Sequence, residues 1–306
     1  MTQPRSAPLI VIGMHRSGTT MVTRALEQLG AFMGTNLSPN AENEFIVALN
    51  DWVLWQGSAA WDRPEPFQDV LATPEIRRMA TDYLQLMLDG PRAVAFTGRS
   101  RLTRGQTAMR LDGPWGVKDP RMTFTLPLWL ELWPDAKVVS MTRHGVDVAS
   151  SLQVRAAKVL PAAEARYRRK RRAYLLSPPH VRRKRFVGTL RCARLEGGFE
   201  VWDAYATEAE RHVTELGERA LHLRYEDFLA DPRSGVGALA RFCELPAGEA
   251  DLDRIADGIN AGRAYAFQAD PDLRAFAARD GVADALARHG YAPLDAGRPS
   301  AAAARV

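Results

Sequence analysis

Apolar positions along the chain fall into short unbroken runs, separated by longer stretches of helical spacing. Residues 8–12, PLIVI, form the first run, bounded by Pro8 and Gly13. A short run without polar alternation predicts a strand buried on both faces, as parallel sheets require. From about Thr19 to Leu29, Met21, Val22, Ala25, Leu26 and Leu29 recur at helical spacing, so the segment reads strand–turn–helix. Helical patterns follow over about 43–56 and 74–88. WGVK (115–118) is a short apolar segment stopped by Asp119-Pro120. AKVVSMT (136–142) is a second buried strand, with a helix from about Val146. A long helix is expected over Leu190–Leu216, and ALHLRY (220–225) alternates into a third strand. Asp231 then stands as an N-cap, with Pro232 at the first helical position. Strands alternating with helices predict an α/β fold, a three-layer parallel β-sheet flanked by helices.

Composition narrows the class. The 306 residues are 46% hydrophobic and 25% charged, ordinary for a globular chain. The longest stretch without Asp, Glu, Lys or Arg is the 14 residues 28–41, too short for a spanning helix. The N-terminal apolar run stops at Arg16 with no small-residue cleavage site, which favours a strand over a signal peptide. Two cysteines, Cys192 and Cys243, and six scattered histidines offer no zinc spacing. The expected setting is a reducing cytoplasm.

Charge is uneven. The whole chain is +5, but residues 155–194 hold fourteen basic residues and one acid, Glu164, a net +13 that leaves −8 elsewhere. RYRRKRR (166–172) and RRKR (182–185) dominate it. The segment is expected to be a basic helical insertion, a helix pair that is either a solvated face or a lid or docking surface for something anionic. Residues 1–293 are expected to form one domain and 294–306 a flexible tail.

The turn after the first strand carries the chemistry. Gly13-Met14-His15-Arg16-Ser17-Gly18-Thr19-Thr20 matches GxxxxGK[ST] except that Thr19 holds the lysine position. Its backbone N–H groups and the helix N-terminus still cradle an anion. The lost cation is the one that reaches β- and γ-phosphates. A positive charge returns as Arg16. A nucleoside triphosphate needs Lys and Mg²⁺, and the second strand ends in Thr142-Arg143 rather than in a Walker-B Asp. A phosphate beside a sulfate carries less charge and needs only Arg, Lys and backbone amides. The fold expected is P-loop NTPase-like. The plainer reading is a tight turn with incidental hydroxyls.

HRSGTT after a strand resembles the 5′-phosphosulfate loop of the PAPS-dependent sulfotransferases, which implies that Arg16, Ser17, Gly18, Thr19 and Thr20 bind 3′-phosphoadenylyl sulfate. Arg143 at the second strand's end, with Ser151 eight residues on and DVA between, resembles that family's 3′-phosphate motif. Arg155, one helical turn further, assists in the tyrosylprotein branch. Trp115-Gly116-Val117-Lys118-Asp119-Pro120-Arg121 resembles the GxKDPR segment of bacterial members, implying that Lys118 meets the transferred sulfuryl group or the bridging oxygen. Arg121 either supports the site or is a structural ion pair. Leu223-Arg224-Tyr225-Glu226-Asp227-Phe228 is similar to the YEDL element, so Tyr225 contacts the donor or packs between strand and helix. The likeness covers about residues 8–245. The family's glycine-rich C-terminal 3′-phosphate loop is not recognisable, and Gly262-Arg263 is the nearest basic stretch.

The resemblance implies in-line sulfuryl transfer from PAPS to a hydroxyl or amine, giving PAP, with no metal and with Arg16 and Lys118 stabilising charge. Asn40-Ala41-Glu42-Asn43-Glu44-Phe45 resembles the stretch where carboxylate-using members keep their base. Glu44 is the first choice and Glu42 the reserve, against a plain helix-start role for both acids. His15 is expected to point away from the donor. Trp52, Trp55 and Trp61 either pack in the core or wall the acceptor pocket. Two alternatives stand beside this reading: a P-loop nucleotide-dependent kinase, and a non-enzymatic nucleic-acid-binding protein using 155–194. The acceptor classes open are an anionic glycan, lipid or peptide, and 155–194 could meet a membrane surface.

Overall fold

The computed structural model describes residues 7–176, 186–260 and 262–291. Four parallel strands, β1 (Leu9–Ile12), β2 (Gly116–Lys118), β3 (Lys137–Thr142) and β4 (Ala220–Arg224), form one sheet in the order β2-β1-β3-β4. Leu9 sits beside Gly116 on one side and Lys137 on the other, and Val138 pairs with Ala220. All four strands therefore end at the same sheet edge. WGVK contributes a strand of its own, on the edge opposite β4.

Helices α1 (Thr19–Gln28), α2 (Glu44–Gln56), α3 (Phe67–Ala72), α4 (Pro74–Asp89), α5 (Val94–Thr97) and α6 (Arg99–Leu102) precede β2. Between the later strands run α7 (Met122–Leu132), α8 (Gly145–Leu175) and α9 (Leu195–Leu216). After β4 come α10 (Tyr225–Ala230), α11 (Pro232–Phe242), α12 (Glu249–Asp257), α13 (Pro271–Ala277) and α14 (Asp280–Arg288).

The chain divides into two compact units. The first holds residues up to His144 and Tyr205–Tyr265, and so the whole sheet. Leu9 and Val11 of β1 join Val22 and Leu26 of α1, Val139 and Met141 of β3, and Phe228, Val236 and Leu239 of α10 and α11 in one buried cluster. Ile10 and Ile12 alternate to the opposite face, also fully buried. Each such side chain contributes roughly 1.5–3 kcal/mol by leaving water. Asp231 caps α11 as expected, its Oδ1 accepting the Ser234 N–H at 3.0 Å with Pro232 at the first position.

The second unit holds Gly145–Ala204 and Ala266–Pro293. Its centre is aromatic: Phe199 against Trp202 and Phe276, and Trp202 edge-on to His289. A Cβ on Gly145 would run into both Trp202 and Phe199, and Gly198 lies against Ala149. Asp147 accepts the backbone N–H groups of Ala266 and Phe267 at 3.2 and 2.8 Å, anchoring the returning chain on α8.

Two expected elements change. The first part of the basic segment, 155–175, is not a separate helix: it continues α8, a single helix of 31 residues that runs through Pro161 to Leu175, and 186–194 hold only a 3₁₀ turn at Arg191–Ala193. Arginine and alanine are good helix formers, and their run extends the helix past its packed portion. The long helix expected from Leu190 starts at Leu195, after a 3₁₀ turn at Arg191–Ala193. Cluster RRKR (182–185) and tail 294–306 lie outside the described residues.

The part of α9 in the first unit supports the turn after β1. His212 Nε2 sits 2.8 Å from the Thr123 carbonyl, and Thr123 Oγ1 accepts the Gly13 N–H at 3.1 Å. Glu208 holds His212 and accepts from both Nε and Nη2 of Arg211. Burial alone raises the Glu208 pKa, but the hydrogen bonds from His212 and Arg211 outweigh it and bring the pKa from 4.5 down to about 2. A depressed carboxylate stabilises the fold above its unfolded pKa and loses that contribution as pH falls through the folded one. Urea unfolding at pH 6 should show Glu208→Gln about 2 kcal/mol less stable, allowing for solvent screening. That gap should close as pH falls from 4.5 toward 2. A gap independent of pH would show that charge at Glu208 contributes nothing.

Candidate active site

The site is built on the C-terminal edge of the sheet in the first unit. The turn from β1 to α1 is shaped by its two glycines. Gly13 has φ +128°, and a Cβ there would strike the Met141 carbonyl. Gly18 has φ +98°, and a Cβ there would lie 2.5 Å from Cδ2 of Tyr225. Ser17 closes the turn from inside, its buried hydroxyl donating to the Met14 carbonyl at 2.6 Å and the Met141 carbonyl at 3.1 Å. That hydroxyl shapes the loop from which Ser17 is expected to meet the donor. Helix α1 starts at Thr19 with no side-chain cap and no acid in its first turn. Its leading N–H groups have no intrahelical partner and point to the loop, as an anion requires. Thr19, in the lysine position, is buried, and Thr20 Oγ1 donates to the Asn40 carbonyl at 2.9 Å.

Lys118 ends β2 and is buried. Its Nζ donates to the Asn40 carbonyl at 2.7 Å and to Glu42 Oε1 at 2.8 Å. Asn40 O thus ties the start of α1 to Lys118. Burial pushes the Lys118 pKa down, and Glu42 and then Asp119 push back without restoring it. Residue Ala41 bends the chain into this position with φ +56°, while fully buried. Arg16 also has positive φ, +73°. A left-handed residue other than glycine costs about 1 kcal/mol, and such strain concentrates at functional sites.

The structure brings Glu42 to Lys118 and does not bring Glu44 there. Asn43 caps α2, its Oδ1 accepting the Phe45 and Ile46 N–H groups at 3.1 and 3.4 Å. Glu44 is then the first helical residue, exposed, where an acid favours the helix N-terminus.

A buried network holds the segment after Lys118. Asp119 accepts Asn50 Nδ2 at 2.9 Å on one oxygen and the Arg121 backbone N–H and Nη1 on the other, at 3.0 and 2.9 Å. Asn50 Oδ1 in turn accepts Thr125 Oγ1 and Trp129 Nε1. Arg121 pairs with Asp119 and Asp51, so its structural role is the one observed. The network fixes α2, and Glu42 just before it, against the strand that carries Lys118.

Arg143 follows β3. Its guanidinium donates to the Arg16 carbonyl at 3.3 Å and the Arg263 carbonyl at 3.1 Å, and lies over the Tyr225 ring at 4.7 Å. The same ring covers Gly18, so Tyr225 braces both loop and arginine. Arg263 therefore reaches the site, through its backbone carbonyl. Its only signal in the sequence is one glycine–arginine pair. His144 beside Arg143 has its backbone N–H on Glu226 at 2.9 Å. Burial first, then the Arg143 and Arg224 guanidiniums, push its imidazole down to about 3, so it adds no charge at neutral pH. His15 packs edge-on against Trp61. Trp52 stacks on Tyr83, and Trp55 is exposed. Ser151 and Arg155 lie on α8 in the second unit, half-buried and exposed respectively.

The sulfotransferase family profile matches residues 8–249, which takes in every strand of the sheet and the loop, lysine and arginine at its edge. The chain belongs to the sulfotransferase family. Sulfuryl transfer is thus its general reaction, and the kinase and nucleic-acid-binding alternatives are set aside. No curated protein matches the chain significantly. Among solved structures, a sulfotransferase from Alicyclobacillus acidocaldarius is 16% identical, covers 94% of this chain and 95% of its own, and gives a TM-score of 0.48. The sulfotransferase domain of the Synechococcus PCC 7002 olefin synthase is 19% identical over 89% and 88%, with a TM-score of 0.42. Retinol dehydratase, solved with androsterone and the inactive cofactor PAP, is 17% identical over 89% and 68%, with a TM-score of 0.38. Among the described residues of this sulfotransferase, no helix is long and apolar enough to cross a membrane.

Proposed function

We propose that this sulfotransferase moves a sulfuryl group from PAPS to an acceptor hydroxyl or amine, releasing PAP, with Glu42 as the base. The observation that carries this reading is the buried Lys118–Glu42 pair, tied through Asn40 to the start of the phosphate-loop helix. The donor fits what surrounds it. The loop offers backbone N–H groups and Arg16, and its glycines leave no room for side chains where backbone must come close. When bound, PAPS supplies an activated sulfuryl group whose leaving oxygen belongs to a phosphate.

The chain's own residues then divide the work. Backbone N–H groups of Gly18, Thr19 and Thr20 hold the 5′-phosphate, with Arg16 beside them. Lys118 places a desolvated positive charge at the sulfuryl oxygens and the departing phosphate oxygen. Glu42 takes the acceptor's proton as the new O–S or N–S bond forms and the old S–O bond breaks. Arg143, set by two carbonyls and Tyr225, is assigned to the 3′-phosphate. Ser151 and Arg155 are proposed for that phosphate from the motif alone. Most of the catalysis is positioning and charge stabilisation.

Titration calorimetry tests the donor. PAP should bind saturably in buffer containing EDTA, while ATP with Mg²⁺ at the same concentration should give no saturable heat. Failure of PAP to bind in the absence of metal would overturn the reading.

A further inference from the structure

The second unit carries a feature outside the site described above. From Glu164 to Leu176, almost every residue of α8 and its end is exposed, and no other part of the described chain covers the basic side chains. Arg166, Arg168, Arg169, Lys170, Arg171 and Arg172 stand on barely two turns, faced by one acid, Glu164, which pairs with Arg168. Like charges three and four residues apart destabilise a helix. A helix this basic therefore calls for an anionic surface.

Charge alone leaves the surface open, but apolar side chains decide it. Ala156, Leu160, Ala163, Tyr167 and Tyr174 follow one another at intervals of four, three, four and seven residues, a single stripe along α8. Ala156 and Ala163 are buried, whereas Tyr167 is 40% exposed. Tyr167, Tyr174 and Phe186 meet as an aromatic trio, with ring centroids 5.3–6.2 Å apart, and Arg166 donates to the Phe186 carbonyl. Leu175 and Leu176 beside them are 85% and 88% exposed. Basic residues flanking a stripe that ends in tyrosines, a phenylalanine and two open leucines form the pattern of a helix lying in a bilayer interface. A nucleic acid would use the arginines and leave the leucines in water.

We propose that residues 164–176, the end of α8 and the residue after it, form with Phe186 a docking surface for an anionic lipid bilayer. The basic side chains meet the headgroups, and Leu175, Leu176 and the aromatic trio enter the interface. The source is the bilayer surface, not a soluble polyanion.

Co-sedimentation of the full chain with vesicles tests this. Vesicles of phosphatidylcholine with phosphatidylglycerol should carry the protein down, pure phosphatidylcholine should not, and added salt should release it. Each basic residue near such a surface is worth roughly fivefold in partitioning. The variant with Arg168, Arg169, Arg171 and Arg172 all changed to Gln should therefore partition at least ~100-fold more weakly. Leu175→Ser with Leu176→Ser should weaken it at least ~10-fold, while leaving binding to a DNA duplex, if any, unchanged. Absence of binding to anionic vesicles at low salt overturns the proposal, as does a leucine variant that binds vesicles like the wild type. Tighter binding to the duplex than to anionic vesicles would assign the surface to nucleic acid and overturn it equally. The wild-type vesicle measurements stand even if a variant misfolds, and none of these readouts depends on turnover or PAP.

Discussion

Lys118→Ala should lower sulfuryl transfer by roughly 10²–10³-fold, the usual cost of removing one preorganised charge from a transition state. The assay is PAP release with an acceptor found by screening phenols, sugars and amines. The effect is large because the ammonium is already stripped of water, with only 2% of its side chain exposed. Its burial is a cost borne in the ground state. The charge that develops on the sulfuryl and phosphate oxygens gives a return on it only during the reaction. Removing one partner of a buried pair also leaves the other unpaired, so the alanine variant alone does not separate catalysis from structure. Lys118→Met combined with Glu42→Gln leaves no charge unpaired. If Lys118 only held Glu42 in place, adding Glu42→Gln to Lys118→Met should recover stability and cost no further activity beyond that of Glu42→Gln. If it stabilises transferred charge, the double variant should melt near the wild-type temperature and still be slower than Glu42→Gln alone. Lys118→Arg should not rescue turnover, because a guanidinium is longer and planar and the site is closed.

Much of this arrangement is legible along the chain because it is local. β1 and β3 are unbroken apolar runs, as buried parallel strands must be, and the Gly13–Thr20 turn between β1 and α1 keeps both glycines where φ is positive. Asp231-Pro232 marks a helix start that forms where the residues place it. What stays hidden is long-range. Lys118 and Glu42 are 76 residues apart, and only the pairing of β2 beside β1 brings them together. Asn43 is a favourable N-cap residue, but only the fold shows that it starts α2 there, leaving Glu44 in the exposed first turn and Glu42 beside Lys118. That the Ser17 hydroxyl reaches the Met141 carbonyl, 124 residues on and on a different strand, is equally invisible in the sequence. Arg263 reaches the site through its carbonyl, a contact no residue type signals. The family profile stops at residue 249, before it. The basic run was visible as charge, but its continuity with the helix after β3 was masked by Pro161, which reads as a break and is accommodated within α8.

Glu42→Gln should lower kcat by roughly 10²–10⁴-fold, the range for loss of a positioned proton acceptor, while PAP affinity stays close to that of the wild type. Glu44→Gln should leave both nearly unchanged. The contrast follows from placement. A glutamine at position 42 keeps an oxygen that can accept the Lys118 hydrogen bond at the 2.8 Å now observed, so lysine and loop hold their geometry. It loses the capacity to take up a proton from an acceptor hydroxyl. The change therefore falls on the chemical step, which separates a base from a residue that merely positions Lys118. A positioning residue would lose PAP affinity along with rate and would be largely rescued by the isosteric amide. Glu44, exposed in the first turn of α2, contributes to helix stability through the helix dipole. Its amide variant should show at most a change of ~0.5 kcal/mol in unfolding free energy. A slow Glu44→Gln beside a fully active Glu42→Gln would reverse the assignment. In that case the Lys118–Glu42 pair would be a structural clasp, and the acceptor's proton would have to leave across the exposed start of α2.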